Sequence, residues 1–194
     1  MSKAEKTRQY IIEKTAPVFN KKGYAGTSLN DIIDQTGLTK GSIYGNFENK
    51  DEVALAAFEY NVNKVSNLFR EEIRKQNTIR EKLLVYPLLY EKFLKHPFPE
   101  GGCPILNTAI EADDTHPLLK AKALTAFNNW KSAVVRLIEK GIGNKEFKKN
   151  SKSEETAITI IALIEGGIML TKLTGKTTYI KSITQKVIDL INDL

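Results

Sequence analysis

Apolar residues recur at three- and four-residue spacing along most of the chain, and no stretch shows the alternation of a strand. Ile12, Ala16 and Phe19 form one stripe and predict a first helix from about Ala4 to Lys22, stopped by Gly23 after two lysines. Pro17 lies inside it and removes a backbone donor, which predicts a local kink. Ser28 with Asp31 three residues on is a capping arrangement for a second helix, with Leu29, Ile32 and Ile33 facing inward. Gly37 breaks that helix, and Thr39 caps a third running to about Phe47. Asn49 with Glu52 opens a fourth, whose stripe Ala54, Phe58, Val62, Val65, Phe69 and Ile73 continues for several turns. At roughly 1.5 Å per residue this helix is about 35 to 40 Å long.

The second half follows the same rules. Thr78 and Glu81 make a capping box for a fifth helix, bent at Pro87 and ended near His96-Pro97. Phe98 to Gly102 is a loop, and Pro104 suits a first helical position, so Cys103 caps a sixth helix through Ala112. A turn from Asp113 to Pro117 leads into a long helix to about Lys140, followed by a lysine-rich loop to Lys152. Ser153 opens the next helix, and Lys176 to Leu194 forms the last. The fold class is all-α, an N-terminal three-helix domain over residues 1–48 and a helical C-terminal domain over 49–194.

Composition narrows the function without choosing it. A net charge of +6 and a pI near 9.2 favour a polyanionic partner only modestly. A single cysteine, Cys103, excludes an internal disulfide framework and suits a reducing cytoplasm. No secretory leader and no membrane-spanning stretch are expected, so the chain reads as cytoplasmic. His96 and His116 are each followed by proline and join no metal constellation. No cofactor loop is present: Lys40-Gly41-Ser42 has its lysine before the glycine, unlike a phosphate-binding loop, and no strand precedes it. No nucleophile, base and acid come together in the pattern, which speaks against an enzyme.

The segment from residue 27 to 50 carries most of the functional information. Two short helices joined by a tight turn containing glycine have the shape of a helix-turn-helix, whose second helix can enter a major groove. That helix turns Lys40, Gly41, Ser42, Tyr44, Gly45 and Asn46 outward over Ile43 and Phe47, so its face carries donors for phosphates and base edges. The first fifty residues hold eight Lys plus Arg against five Asp plus Glu, a mildly basic lobe. Spacing alone also allows an inert packing unit, or a sensor whose N-terminal lobe binds protein.

The residues themselves say more. The run Phe19-x-x-Lys22-Gly23-Tyr24-x-x-Thr27-Ser28-Leu29-x-Asp31-Ile32-Ile33, then Thr36-Gly37-Leu38-Thr39-Lys40-Gly41-Ser42-Ile43-Tyr44-x-Asn46-Phe47-x-Asn49-Lys50-Asp51, closely resembles the DNA-binding domain of the tetracycline-repressor family. The resemblance covers about the first quarter of the chain. It implies a homodimer, a palindromic double-stranded operator, a small-molecule inducer and repression. Position by position, Thr27, Tyr44 and Lys50 match the family's phosphate contacts, with Ser28 beside Thr27 in support. Thr39, Lys40, Gly41 and Ser42 match the start of the recognition helix. Asn46 stands where histidine is usual, and Gly45 offers no side chain where some members read bases, which shifts direct readout to Lys40 and Ser42.

Dimerisation has its own sequence argument. Ala157 to Leu170 is apolar on nearly every face and needs to be surrounded, and the last helix carries a stripe of Ile180, Ile183, Val187, Leu190, Ile191 and Leu194. Ile161, Ile164, Ile168, Ile183, Val187 and Leu190 are therefore expected at a four-helix dimer interface, the alternative being one monomer's core. For the inducer, Tyr86, Tyr90, Phe93, Phe127 and Trp130 are candidate lining, with Cys103, Asn107 and Glu111 as nearby polar groups, although aromatics at this spacing are also ordinary core. Cys103 at a helix start is a candidate sensor of electrophiles or oxidants, against the plainer reading of a small residue in a turn. Glu165, inside the most apolar helix, suits a cationic ligand, a lysine partner or the dimer rim.

Overall fold

The computed structural model describes residues 2–93 and 99–194, and the expected end of the fifth helix near His96 and Pro97 lies outside them. The described residues form α1 (Lys3–Lys22), α2 (Leu29–Thr36), α3 (Lys40–Tyr44), α4 (Lys50–Arg74), α5 (Ile79–Phe93), α6 (Pro104–Ala112), α7 (Pro117–Gly143), α8 (Ser153–Thr174) and α9 (Thr178–Asn192), with no strand among them. The caps read at α2, α4 and α5 are formed, whereas Cys103 stands at the N-cap of α6 without a side-chain capping bond. Ser28 and Asp31 close a capping box, Asn49 accepts from the Glu52 N–H at 2.9 Å, and Thr78 and Glu81 exchange bonds of 2.9 and 3.1 Å. α1 stays helical through Pro17.

The chain divides into two compact units: residues 1–65 with 99–124, and residues 66–98 with 125–194. This differs from the division expected at residue 48, because α6 and the first turns of α7 pack with the N-terminal helices. The core of the first unit is Ile11, Ala16, Phe19, Ile32, Ile43, Phe47, Val53, Ala54 and Ala57, drawn from α1 to α4 and the turn before α4. Its α6 side is closed by asparagines: buried Asn20 donates to the Glu100 and Gly102 carbonyls at 2.6 and 2.9 Å, and Asn107 donates back to the Asn20 carbonyl at 3.0 Å.

In the second unit α9 packs on both α8 and α5. The turn after α7, read as a lysine-rich loop, also has a structural part. Glu146 accepts the Ile79 N–H at 2.8 Å and so caps α5, while Arg80 lies 5.0 Å from the Phe147 ring centroid and donates to the Ile191 carbonyl. α8 has the length and mean apolarity of a membrane span by composition alone. Its Ala157, Ile160, Ile161, Ile164 and Gly167 are buried in protein, with Gly167 leaving room for the Ile180 side chain of α9.

Candidate nucleic-acid interface

The predicted DNA-facing residues lie at the start of α2, along α3 and at the start of α4. α1 ends at Gly23, and the Thr27 hydroxyl donates back to the Gly23 carbonyl at 2.6 Å, which seats Thr27 fully buried at the entrance to α2. Ser28 caps α2: its Oγ accepts the Asp31 N–H at 3.1 Å, and the Asp31 carboxylate accepts the Ser28 N–H at 2.7 Å. The Lys22 ammonium, together with these Ser28 donors, holds the Asp31 carboxyl well below the usual carboxylate range. α2 ends at Gly37 in the left-handed conformation, φ +66°.

The recognition helix is shorter than expected. It stops at Tyr44 and does not run to Phe47: the Asn46 N–H bonds the Ile43 carbonyl three residues back, which tightens the last turn, and Phe47 drops into the core, 2% exposed. Thr39 caps it by accepting the Ser42 N–H at 3.2 Å. Ile43 is buried beneath, while Lys40, Gly41 and Gly45 are exposed and Ser42, Tyr44 and Asn46 are half-buried. The Asn46 amide donates to the Ser42 carbonyl at 2.8 Å, closing the last turn.

Two partners of this segment were not legible in the sequence. Arg8 of α1 donates to the Asn46 carbonyl, pairs with Glu52 at 2.7 Å and lies 4.0 Å from the Phe47 ring centroid, tying α1 to the turn after α3. Tyr24 is the other. Its hydroxyl donates to the Asp51 carboxylate, which with partial burial pushes the phenol up to about 12. The Lys50 ammonium stands 4.2 Å from its ring centroid, and His116 packs edge-on at 4.5 Å. Both partners come from distant sequence, so no local pattern marks them.

The candidates for a ligand site separate. In the second unit Phe69 lies 5.2 Å from both Tyr86 and Tyr90 and 6.2 Å from Phe93, and Trp130 lies 6.4 and 6.0 Å from the two tyrosines. Phe69 was read only as part of the α4 stripe, yet it sits at the centre of this cluster. Burial pushes the Tyr86 phenol up to about 12, and the Trp130 Nε1–H is buried with no hydrogen-bond partner among the described residues. Phe127 is half-buried in the same unit. Cys103, Asn107 and Glu111 belong to the first unit instead. Cys103 is buried at the start of α6 with no side-chain capping bond, and Asn107 and Glu111 bond the backbone around the end of α1. A cavity there, lined by Asn20, Tyr24, Asn61 and Glu111 among others, measures about 20 Å³, room for one water.

The expected dimer residues also divide. Ile161, Ile164 and Val187 are 4%, 1% and 0% exposed within the single chain, so they are core of the second unit. Ile168, Ile183 and Leu190 are half-buried. The outward side of α8 is apolar as well, with Ile158, Met169 and Leu173 exposed on one stripe. An apolar-all-round helix has two apolar faces, and the pattern did not say which of them the chain covers itself.

A short capped helix carried outward on a buried three-helix core, with a mildly basic surface, is the DNA-binding module of a transcription regulator. The two halves of the chain agree on which kind. Residues 11–57 match the family described as bacterial regulatory proteins, tetR family, and residues 80–187 match the tetracyclin repressor-like C-terminal domain. The chain belongs to the TetR family of transcriptional regulators, a family of DNA-binding proteins and not of enzymes. A TetR-family regulator from Cytophaga hutchinsonii superposes with a TM-score of 0.97 and 48% identity, over 100% of this chain and 97% of that one. A TetR regulator from Chloroflexus aurantiacus gives 0.94 and 34% identity, over 99% and 97%. Among curated relatives, the HTH-type transcriptional repressor DhaR of a Mycobacterium species is 25% identical over 86% of this chain and 82% of its own length.

Proposed function

We propose that the protein is a cytoplasmic repressor that binds a palindromic operator as a homodimer and leaves it when a small molecule enters the C-terminal domain. The observation that carries the DNA-binding part is the arrangement of α2 and α3. Buried Ile32 and Ile43 lock the two helices, and the caps at Ser28 and Thr39 fix their first turns, so Lys40 and Ser42 are held toward a major groove. Lys40 suits the acceptor edge of guanine and Ser42 a base edge or phosphate. Gly41 carries no side chain and lets the duplex approach the helix. Ser28, Thr39, Tyr44, Asn46 and Lys50 take the flanking phosphates, Asn46 by an amide that carries no charge, while Thr27, buried with its hydroxyl on the Gly23 carbonyl, seats the start of α2 beneath them.

The dimer is formed through the outward stripe of α8, Ile158, Met169 and Leu173, with Tyr179 of α9 beside it, Ile168, Ile183 and Leu190 at the margin and Ile161, Ile164 and Val187 as the core behind. A second copy covers these apolar groups and sets the two recognition helices about 34 to 36 Å apart. The inducer enters at the ring cluster of Phe69, Tyr86, Tyr90, Phe93 and Trp130, with Phe127 nearby, and the unsatisfied Trp130 donor favours a flat apolar molecule bearing an acceptor. About 1 to 3 kcal/mol of coupling per ligand is enough to release the operator.

Titration of a labelled duplex with protein across salt concentrations tests the interface. Lys50→Ala should weaken binding to all sequences and lower the salt slope by about 1. A loss confined to particular sequences would remove Lys50 from the phosphate contacts.

A further inference from the structure

We propose that Glu111 is a positioning residue for DNA binding: from α6, without touching the duplex, it holds the turn that seats Thr27 and the start of α2. The inference rests on the DNA-binding reading above. The Glu111 carboxylate accepts the Tyr24 N–H and the Ala25 N–H, each at 2.8 Å. α1 ends at Lys22, and these two successive donors lie just beyond it, so the carboxylate satisfies backbone groups that the helix does not.

Gly23 makes the grip possible. Its φ is +73°, and a Cβ there would stand 2.3 Å from the Glu111 Oε2. Gly23 therefore ends α1 and also leaves the space that the carboxylate fills. A second group of bonds fixes the base of α6. The Asn107 amide donates to the Asn20 and Gly101 carbonyls at 3.0 and 2.9 Å, and a Cβ on Gly101 would meet the Asn20 carbonyl oxygen at 2.7 Å. The backbone before α6 is thus pressed directly on the end of α1.

What the grip holds is the start of the DNA-facing path. The Thr27 hydroxyl donates to the Gly23 carbonyl, inside the same turn. Tyr24, whose N–H Glu111 accepts, carries the Lys50 ammonium over its ring and bonds Asp51 through its hydroxyl. One carboxylate on α6 thereby fixes the backbone that seats the start of α2 and lies beside one proposed phosphate contact, Lys50. Thr115 donates to the Glu111 carbonyl and the His116 ring meets Tyr24, so the turn between α6 and α7 backs the same residue.

The test compares the full-length wild type, Glu111→Ala and Glu111→Gln. Each is titrated against a duplex of about 30 base pairs from the DNA flanking its own gene and against a random duplex of that length. Glu111→Ala should lose about tenfold in affinity for both with the salt slope kept, because no cationic contact is removed. The Tyr24 and Ala25 amides should exchange faster while the α1 and α2 core amides stay protected. Glu111→Gln keeps one of the two acceptor oxygens and should lose only about threefold, between wild type and Glu111→Ala. Wild-type binding with Glu111→Ala unaffected overturns this inference alone, whereas a wild type indifferent to both duplexes overturns the DNA-binding reading and this inference with it. If Glu111→Ala does not fold, Glu111→Gln decides: a loss of about threefold with faster Ala25 exchange supports the inference, and unchanged affinity overturns it.

Discussion

Asp31 shows how much one side chain can organise in the helix-turn-helix. It caps α2 with Ser28 and holds the Lys22 ammonium, linking the end of α1 to the start of α2. Its carboxyl is held low, chiefly by Lys22 and then by the two Ser28 donors. A depressed carboxyl contributes stability that is present above the ordinary carboxylate value, near pH 4, and fades as pH falls through the lower folded value. Asp31→Asn should therefore lower Tm at neutral pH, and the two melting curves should converge as pH is taken below about 4. Thermal melts from pH 7 to pH 2 check this; a gap that stays constant on acidification would deny Asp31 its charge-based role. Tyr24 titrates in the opposite sense, its phenol pushed up to about 12 by the bond to Asp51 and by burial.

Among elements, the turn between α2 and α3 is the one on which the recognition helix depends. Gly37 has φ +66° and nothing within 4 Å of the place a Cβ would take, so the demand on it is purely conformational. Gly37→Ala should cost about 1 to 2 kcal/mol in denaturant unfolding, and Gly37→Asn less, since asparagine tolerates the left-handed region. Equal stability of all three proteins would contradict that account. Elements of this kind were legible because their causes are local. Ser28 with Asp31, Thr78 with Glu81 and Thr39 before a short run each sit within a few residues of what they cap. The end of α3 falls earlier than the pattern predicts because Phe47 has helical spacing from Ile43, yet the Asn46 N–H turns to the Ile43 carbonyl three residues back and closes the helix. Asn107 and Glu111 looked like ligand groups because they sit beside apolar helices in sequence, whereas their partners lie 87 residues or nearly so away. No periodicity reports such a contact.

At the scale of the whole molecule, the sequence marked α8 and α9 as helices that must be covered, and folding determines which face is left over. Ile164→Ala should remove core from the second unit and cost about 2 to 5 kcal/mol, whatever the oligomeric state. Leu173→Asp changes a residue that is 79% exposed in the single chain. It should leave the fold intact by circular dichroism and shift sedimentation from dimer to monomer at micromolar concentration. A Leu173→Asp protein that stays dimeric would move the interface elsewhere.

The account depends most on a paired reading of the duplex by two copies of the segment from Thr27 to Lys50. Hydroxyl-radical footprinting of the DNA flanking the gene addresses this directly. The expected result is two protected half-sites related by two-fold symmetry, their centres about one helical turn or a small multiple apart, both lost on adding Lys40→Ala in place of wild type. A single asymmetric patch, or no protection at low ionic strength, would contradict it.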